Sequence, residues 1–126
     1  MKYTIVFCNS FFEVVASGDA NFEGIKLMIS DLLSSPNWKP GNSLLLDYTK
    51  LNAGPLLVSQ IKEMAWSVSN VRKELGSLKV AHVVSRDLEF GLIRMWDTFL
   101  FDDWDGTADI FWTRDQAVSW LLSTDA

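Results

Sequence analysis

Residues 3–7 alternate between apolar and polar side chains with the period of a strand, placing Tyr3, Ile5 and Phe7 on one face. Asn9-Ser10 is a turn signal. Residues 11–17 read as a second strand carrying Phe12, Val14 and Ala16 together. The connection is so short that the two strands should form a hairpin. Gly18-Asp19 ends the second strand and can cap a helix. Over residues 20–33 the apolar spacing lengthens to that of a helix, with Phe22, Ile25, Ile29 and Leu32 on one stripe. Ser34-Ser35-Pro36 stops it, and Pro40-Gly41-Asn42 is a second breaker.

Leu44-Leu45-Leu46-Asp47 shows no alternation. A short unbroken apolar run suits a central strand covered on both faces. Gly54-Pro55 opens a second helix, with proline in the first turn where its missing N–H does least harm. Leu57, Ile61, Met64, Ala65, Val68 and Leu75 give that helix one apolar stripe, and Gly76 is its C-cap. Residues 80–84 form another central strand. Asp87 caps a third helix reaching about residue 102. Residues 108–112 are the last strand. Thr113-Arg114-Asp115-Gln116 is a capping box for a closing helix with Ala117, Trp120 and Leu121 inward.

The order β-β-α-β-α-β-α-β-α predicts an α/β fold: a mainly parallel five-stranded sheet, an antiparallel N-terminal hairpin strand and four helices. Right-handed crossovers between sequential neighbours would put all the helices on one face. The other face would then need a cover from a partner, a second copy or the hairpin. No linker, repeat or low-complexity tract interrupts the chain, so residues 1–126 are expected to be one domain.

Composition narrows the partners. Apolar residues make up 48% and charged residues 21%, which is globular rather than disordered. The net charge is −5, and the 11 Lys and Arg never cluster, which disfavours nucleic acid and anionic membrane surfaces. No apolar stretch approaches the roughly 20 residues of a membrane span. The single cysteine, Cys8, cannot pair within the chain, and no signal peptide is evident, so a cytoplasmic protein is expected.

Candidate chemistry is sparse. The one histidine, His82, sits in the middle of a central strand, where a packed sheet residue is the ordinary reading. Cys8 has no basic neighbour in sequence to activate it. The acidic stretch of residues 102–109 resembles a calcium loop only in part. Aligning Gly106 with the invariant glycine puts Phe101 and Trp112 where two ligands belong. Asp47 ends a central strand. With the segments 47–52, 85–87 and 113–115 it outlines a rim at the carboxyl ends of the strands, where ligands of open α/β sheets bind. No Gly-rich phosphate loop follows any strand. No catalytic residue, metal site or cofactor is therefore expected.

The aromatics stand out, with six Trp in the chain. In the third helix Leu88, Leu92, Met95 and Phe99 form a stripe that should face the sheet. Phe90, Ile93, Trp96, Leu100, Phe101 and Trp104 lie largely off it and make a candidate apolar interface or ligand patch, which Trp66 of the second helix could extend.

These elements, from Pro36-Asn37-Trp38-Lys39-Pro40-Gly41 and Leu44-Leu45-Leu46-Asp47 through Val80-Ala81-His82-Val83-Val84 to Leu88-Glu89-Phe90-Gly91-Leu92-Ile93-Arg94-Met95-Trp96, resemble the SpoIIAA-like family over residues 3–122. That family is related to STAS domains and is grouped by fold with CRAL/TRIO lipid-binding domains. In anti-sigma-factor antagonists a phosphorylatable serine precedes the second helix. The resemblance aligns it with Ala53 of Leu51-Asn52-Ala53-Gly54, which has no hydroxyl. The resemblance implies an interaction loop at Asp47, Thr49, Asn52, Ala53 and Gly54 without the phospho-switch. The expected function is a non-enzymatic STAS-like interaction or regulatory module, self-associating as a homodimer or binding a protein partner. The alternative is a binder of a lipid or other apolar small molecule in a groove near the third helix.

Overall fold

The computed structural model describes residues 1–100 and 106–123. The hairpin comes first: β1 (Lys2–Phe7) pairs antiparallel with β2 (Phe11–Asp19), from Lys2 opposite Ser17 to Phe7 opposite Phe12. Asn9 takes φ 65° in the turn, a left-handed conformation asparagine tolerates. The Cys8 N–H closes the loop on the Phe11 carbonyl. Next come α1 (Phe22–Leu33), β3 (Ser43–Asn52), α2 (Val58–Asn70), the short α3 (Arg72–Leu75), β4 (Lys79–Val83), α4 (Asp87–Phe99), β5 (Thr107–Phe111) and α5 (Arg114–Leu122). The five strands lie in the order β1-β2-β3-β4-β5, all parallel after the hairpin, as expected for the α/β pattern.

The expectation of one helical layer is corrected. Helices α1, α2 and α4 cover the face that carries Phe12, Val14, Leu44, Leu46 and Val80. No strand follows helix α5 among the described residues, so crossover handedness does not constrain it. It turns under the sheet and buries Phe11, Leu45, Ala81 and Val83 against Ala117 and Leu121. That is why residues 44–46 are apolar at both parities, and the cover comes from the chain itself.

Local boundaries also move. Asn21, not Asp19, caps α1 by accepting the Gly24 N–H at 3.0 Å. Gly54-Pro55 lies in a turn ahead of α2. That helix starts at Val58 and is closed by the Gln60 side chain accepting the Leu57 N–H at 2.9 Å. The helix does not run on to Leu75: it breaks at Val71, and α3 makes one further turn before Gly76 at φ 66°. A Cβ on Gly76 would sit 2.6 Å from the Gly41 nitrogen, so close chain approach and left-handed φ both require glycine there.

Strand β3 is longer than expected and contains a bulge. Between Val15 and Ser17 of β2 lies one residue, Ala16, whereas between their partners Asp47 and Lys50 of β3 lie two, Tyr48 and Thr49. Asp47 fills the irregularity by accepting the Thr49 N–H at 3.0 Å and its hydroxyl at 2.7 Å. The extra residue changes the parity of the strand. Leu44, Leu46 and Leu51 therefore all reach the same core although an even and an odd position are mixed.

Candidate functional site: an apolar cavity between the sheet and three helices

Between the sheet and its upper helices lies a partly open cavity of about 140 Å³. Leu44, Leu46, Val80 and His82 form its floor. Ile25, Met28 and Leu32 of α1 form one wall, and Ile61, Met64 and Val68 of α2 another. Leu92, Ile93 and Trp96 of α4 close the third side. The backbones explain the space. Helix α5, with Ala81 and Ala117 in its layer, approaches β3, β4 and β5 closely. Helix α2 makes its close backbone approaches to α4 and has few to the sheet. Long side chains hold it off, and a layer propped on long flexible side chains leaves a gap that alanine would not.

The lining is apolar apart from Tyr48, His82, Glu89 and the Trp96 indole. His82 is only 3% exposed. Its ring centroid lies 6.0 Å from that of Tyr48 and 5.4 Å from that of Trp96, the latter edge-on. Burial pulls its pKa down to about 4, opposed by a hydrogen bond to the Asp109 main chain, so the ring is neutral at pH 7. Its Nδ1 has no hydrogen-bond partner. Burial pushes the Tyr48 phenol above its ordinary range, keeping it protonated.

One end of the cavity is closed by a polar network. Glu89, 2% exposed, accepts the Ala53 N–H at 3.0 Å and two hydrogen bonds from Arg86, at 2.7 Å from Nε and 2.5 Å from the terminal nitrogen. Hydrogen bonding to Arg86 holds the Glu89 carboxyl below its usual range against the opposing effect of burial. The same guanidinium reaches Asn52 Oδ1 at 2.9 Å, and Asn52 Nδ2 donates to Asp19 at 3.0 Å. Ser85 Oγ donates to the Thr49 carbonyl at 2.8 Å. The ends of β2 and β3 are thus stitched to the start of α4 beside Ala53, which itself lines the cavity.

The residues singled out in the sequence fall into three places. Asp47, Thr49 and Asn52 belong to β3 rather than to a loop, and Ala53 and Gly54 follow it. Ala53, at the aligned switch position, is buried with its N–H bound to Glu89. In α4 the expected inward stripe is only partly inward: Leu92 and Met95 pack against the core, but Leu88 and Phe99 are exposed at 46% and 38%, while Ile93 and Leu100 are buried and Trp96 lines the cavity. Phe90 stacks on Trp112 with centroids 5.2 Å apart and planes at 5°. Phe101 and Trp104 lie outside the described residues, as does the first half, 102–105, of the acidic segment 102–109. Trp66 points outward at 68% exposure.

Glu89 and Tyr48 went unnoticed in the sequence. Glu89, Ile93, Trp96 and Leu100 have the same helical spacing as Leu88, Leu92, Met95 and Phe99. A charged first member makes the true inner stripe the less apolar of the two. The usable signal was Arg86 three residues before Glu89, a partner able to neutralise a buried carboxylate.

Among the described residues no group of His, Cys, Asp and Glu is arranged to hold a metal. Asp97, with one carboxylate oxygen buried and unpartnered, has its pKa raised to about 6, chiefly by burial, with Asp109 adding repulsion against the opposing Arg94. No helix among the described residues is long and apolar enough to cross a membrane.

Comparison with known proteins gives the fold a relative. An uncharacterised protein of the DUF3478 family with a SpoIIAA-like fold, from Shewanella loihica PV-4, superposes with a TM-score of 0.61. It shares 18% identity, covering 95% of this chain and 92% of that one. No protein-family model matches the sequence, and no curated protein is significantly similar to it.

Proposed function

We propose that this domain, whose fold is SpoIIAA-like, is a non-enzymatic module that holds an apolar small molecule, a ring or a lipid chain, between its sheet and helices α1, α2 and α4. The observation that carries this is the cavity of about 140 Å³, lined almost wholly by apolar side chains. Closed aliphatic cavities of about 150 Å³ stay dry and take up benzene. A larger occupant would be admitted by outward movement of α2, the helix least tied to the sheet.

The test has two arms. Protein purified from a native extract is examined by native mass spectrometry for a retained small molecule. Stripped protein is then titrated with N-phenyl-1-naphthylamine, whose fluorescence rises in apolar surroundings. Saturable binding that Val68→Phe weakens tenfold or more supports the cavity as the site. Binding unaltered by that substitution, or no saturable binding, refutes it.

A specific observation favours a second reading, in which the domain self-associates or docks a protein partner. Trp66, Leu57 and Val58 are exposed on and beside α2. Part of the third-helix patch anticipated as an interface is turned inward, and the exposed apolar residues on and beside α2 offer a surface for this role. Light scattering across a concentration series checks it. A dimer lost on Trp66→Ala supports it, and a monomer at all concentrations removes it.

A further inference from the structure

The cavity's chemistry singles out one class of occupant. His82 forms part of the floor and is almost fully buried. In a neutral imidazole one nitrogen is a donor and the other an acceptor. The Nδ1 atom is buried and has no hydrogen-bond partner, and in the Nε2–H tautomer it carries the ring's lone pair. A buried polar atom without a partner is unusual and destabilising in a finished core, and is commoner where a ligand completes the hydrogen bonding. Glu89 is saturated by Arg86 and Ala53. The Tyr48 phenol stays protonated and adds a neutral hydroxyl to the lining.

We propose that His82 holds its proton on Nε2, that its Nδ1 is the polar anchor of the cavity, and that the ligand is a neutral apolar molecule carrying one hydrogen-bond donor, a hydroxyl or an N–H, on a ring or short chain. This rests on the cavity being a ligand site and specifies its occupant. Carboxylates and phosphates are excluded because the floor presents a lone pair and no cation. Arg86, the nearest guanidinium at the rim, is already committed to Glu89 and Asn52. A hydrocarbon without a donor would fill the space and leave Nδ1 unpaired.

The experiment uses phenol, toluene and benzoate as probes of matched size, titrated into the protein and followed by NMR. His82 is the only histidine, so its ring nitrogens can be observed without ambiguity in protein carrying 15N-histidine. Phenol is expected to bind at least as tightly as toluene, although phenol is far the better solvated in water. The Nδ1 resonance should move upfield with phenol and stay put with toluene. His82→Leu should weaken phenol about tenfold and toluene by less than threefold. Toluene binding with phenol clearly weaker, or phenol binding that leaves Nδ1 unmoved, overturns the anchor while preserving the apolar site. Benzoate binding as tightly as phenol overturns the ligand class. If no probe binds, the cavity reading falls and the anchor with it. The unsubstituted protein decides these outcomes even if His82→Leu does not fold.

Discussion

Arg86→Ala tests whether the closed end of the cavity depends on a compensated buried charge. Glu89 is 2% exposed, whereas the Arg86 side chain is 51% exposed. Breaking a fully buried pair by removing one partner costs about 3–5 kcal/mol, because the other charge is stranded. Arg86 is half in solvent, so its loss should cost about 2 kcal/mol. For a chain of this length that is a fall in Tm of roughly 6–8 °C. The pH dependence sharpens the expectation. In the unaltered protein Glu89 has a depressed pKa, so its contribution is present above the ordinary carboxyl range and is lost as pH falls through the folded value. In the variant, burial without the guanidinium raises that pKa, so the penalty is greatest at neutral pH and is relieved as the carboxyl protonates. Urea unfolding at pH 7.5 and 4.5 should therefore show the deficit shrinking in acid. Adding Glu89→Gln to Arg86→Ala should recover stability at pH 7.5. A deficit independent of pH, or a double variant no more stable than the single one, would refute the reasoning.

Other predictions follow from single positions. Gly76→Ala should cost about 2–3 kcal/mol, since the methyl meets backbone atoms at 2.6 and 2.9 Å and φ is positive. Gly91→Ala, exposed in α4 with nothing within 4 Å, should gain about 0.5–1 kcal/mol, and chemical denaturation of the pair checks both signs. Val68→Phe adds volume beside the cavity and should change stability by less than about 1 kcal/mol, against the 1–3 kcal/mol loss typical of an overpacked core. A larger loss on urea unfolding would mean the space cannot be used. His82 has a folded pKa near 4, below the unfolded 6.5, so its contribution is complete above about pH 6.5 and is lost as pH falls toward 4. The difference between the natural chain and His82→Leu should change by about 3 kcal/mol over that window. Asp97, raised to about 6, works in the opposite sense in both proteins and cancels from the comparison.

The strand and helix order was legible because each element has its own hydrophobic period. The placement of α5 was not, because handedness rules govern crossovers and no strand follows that helix among the described residues. The double-sided apolar run of residues 44–46 did announce that both sheet faces are covered, without saying by what. The full inner face of α4 was hidden for a related reason. Periodicity assigns the inner face to the most apolar stripe, and here the inner stripe begins with a glutamate whose charge is balanced from Arg86 and the Ala53 N–H. His82 could be placed on a strand but not in a cavity. Empty space is a property of side-chain lengths summed across four elements, and no local pattern encodes it.

Strands that lie side by side in the same order as they leave the ribosome allow the sheet to grow outward from the hairpin, one neighbour at a time. Each docking step pairs strands that are neighbours in sequence, which keeps the contact order lower than in a sheet with non-sequential neighbours. The under-face is the exception. Phe11 and Leu45 lie on the second and third strands, yet their cover, Ala117 and Leu121, follows all five strands in the chain. Until α5 docks, a folding chain carries an oily sheet face, so aggregation during refolding should depend on how quickly α5 closes over it.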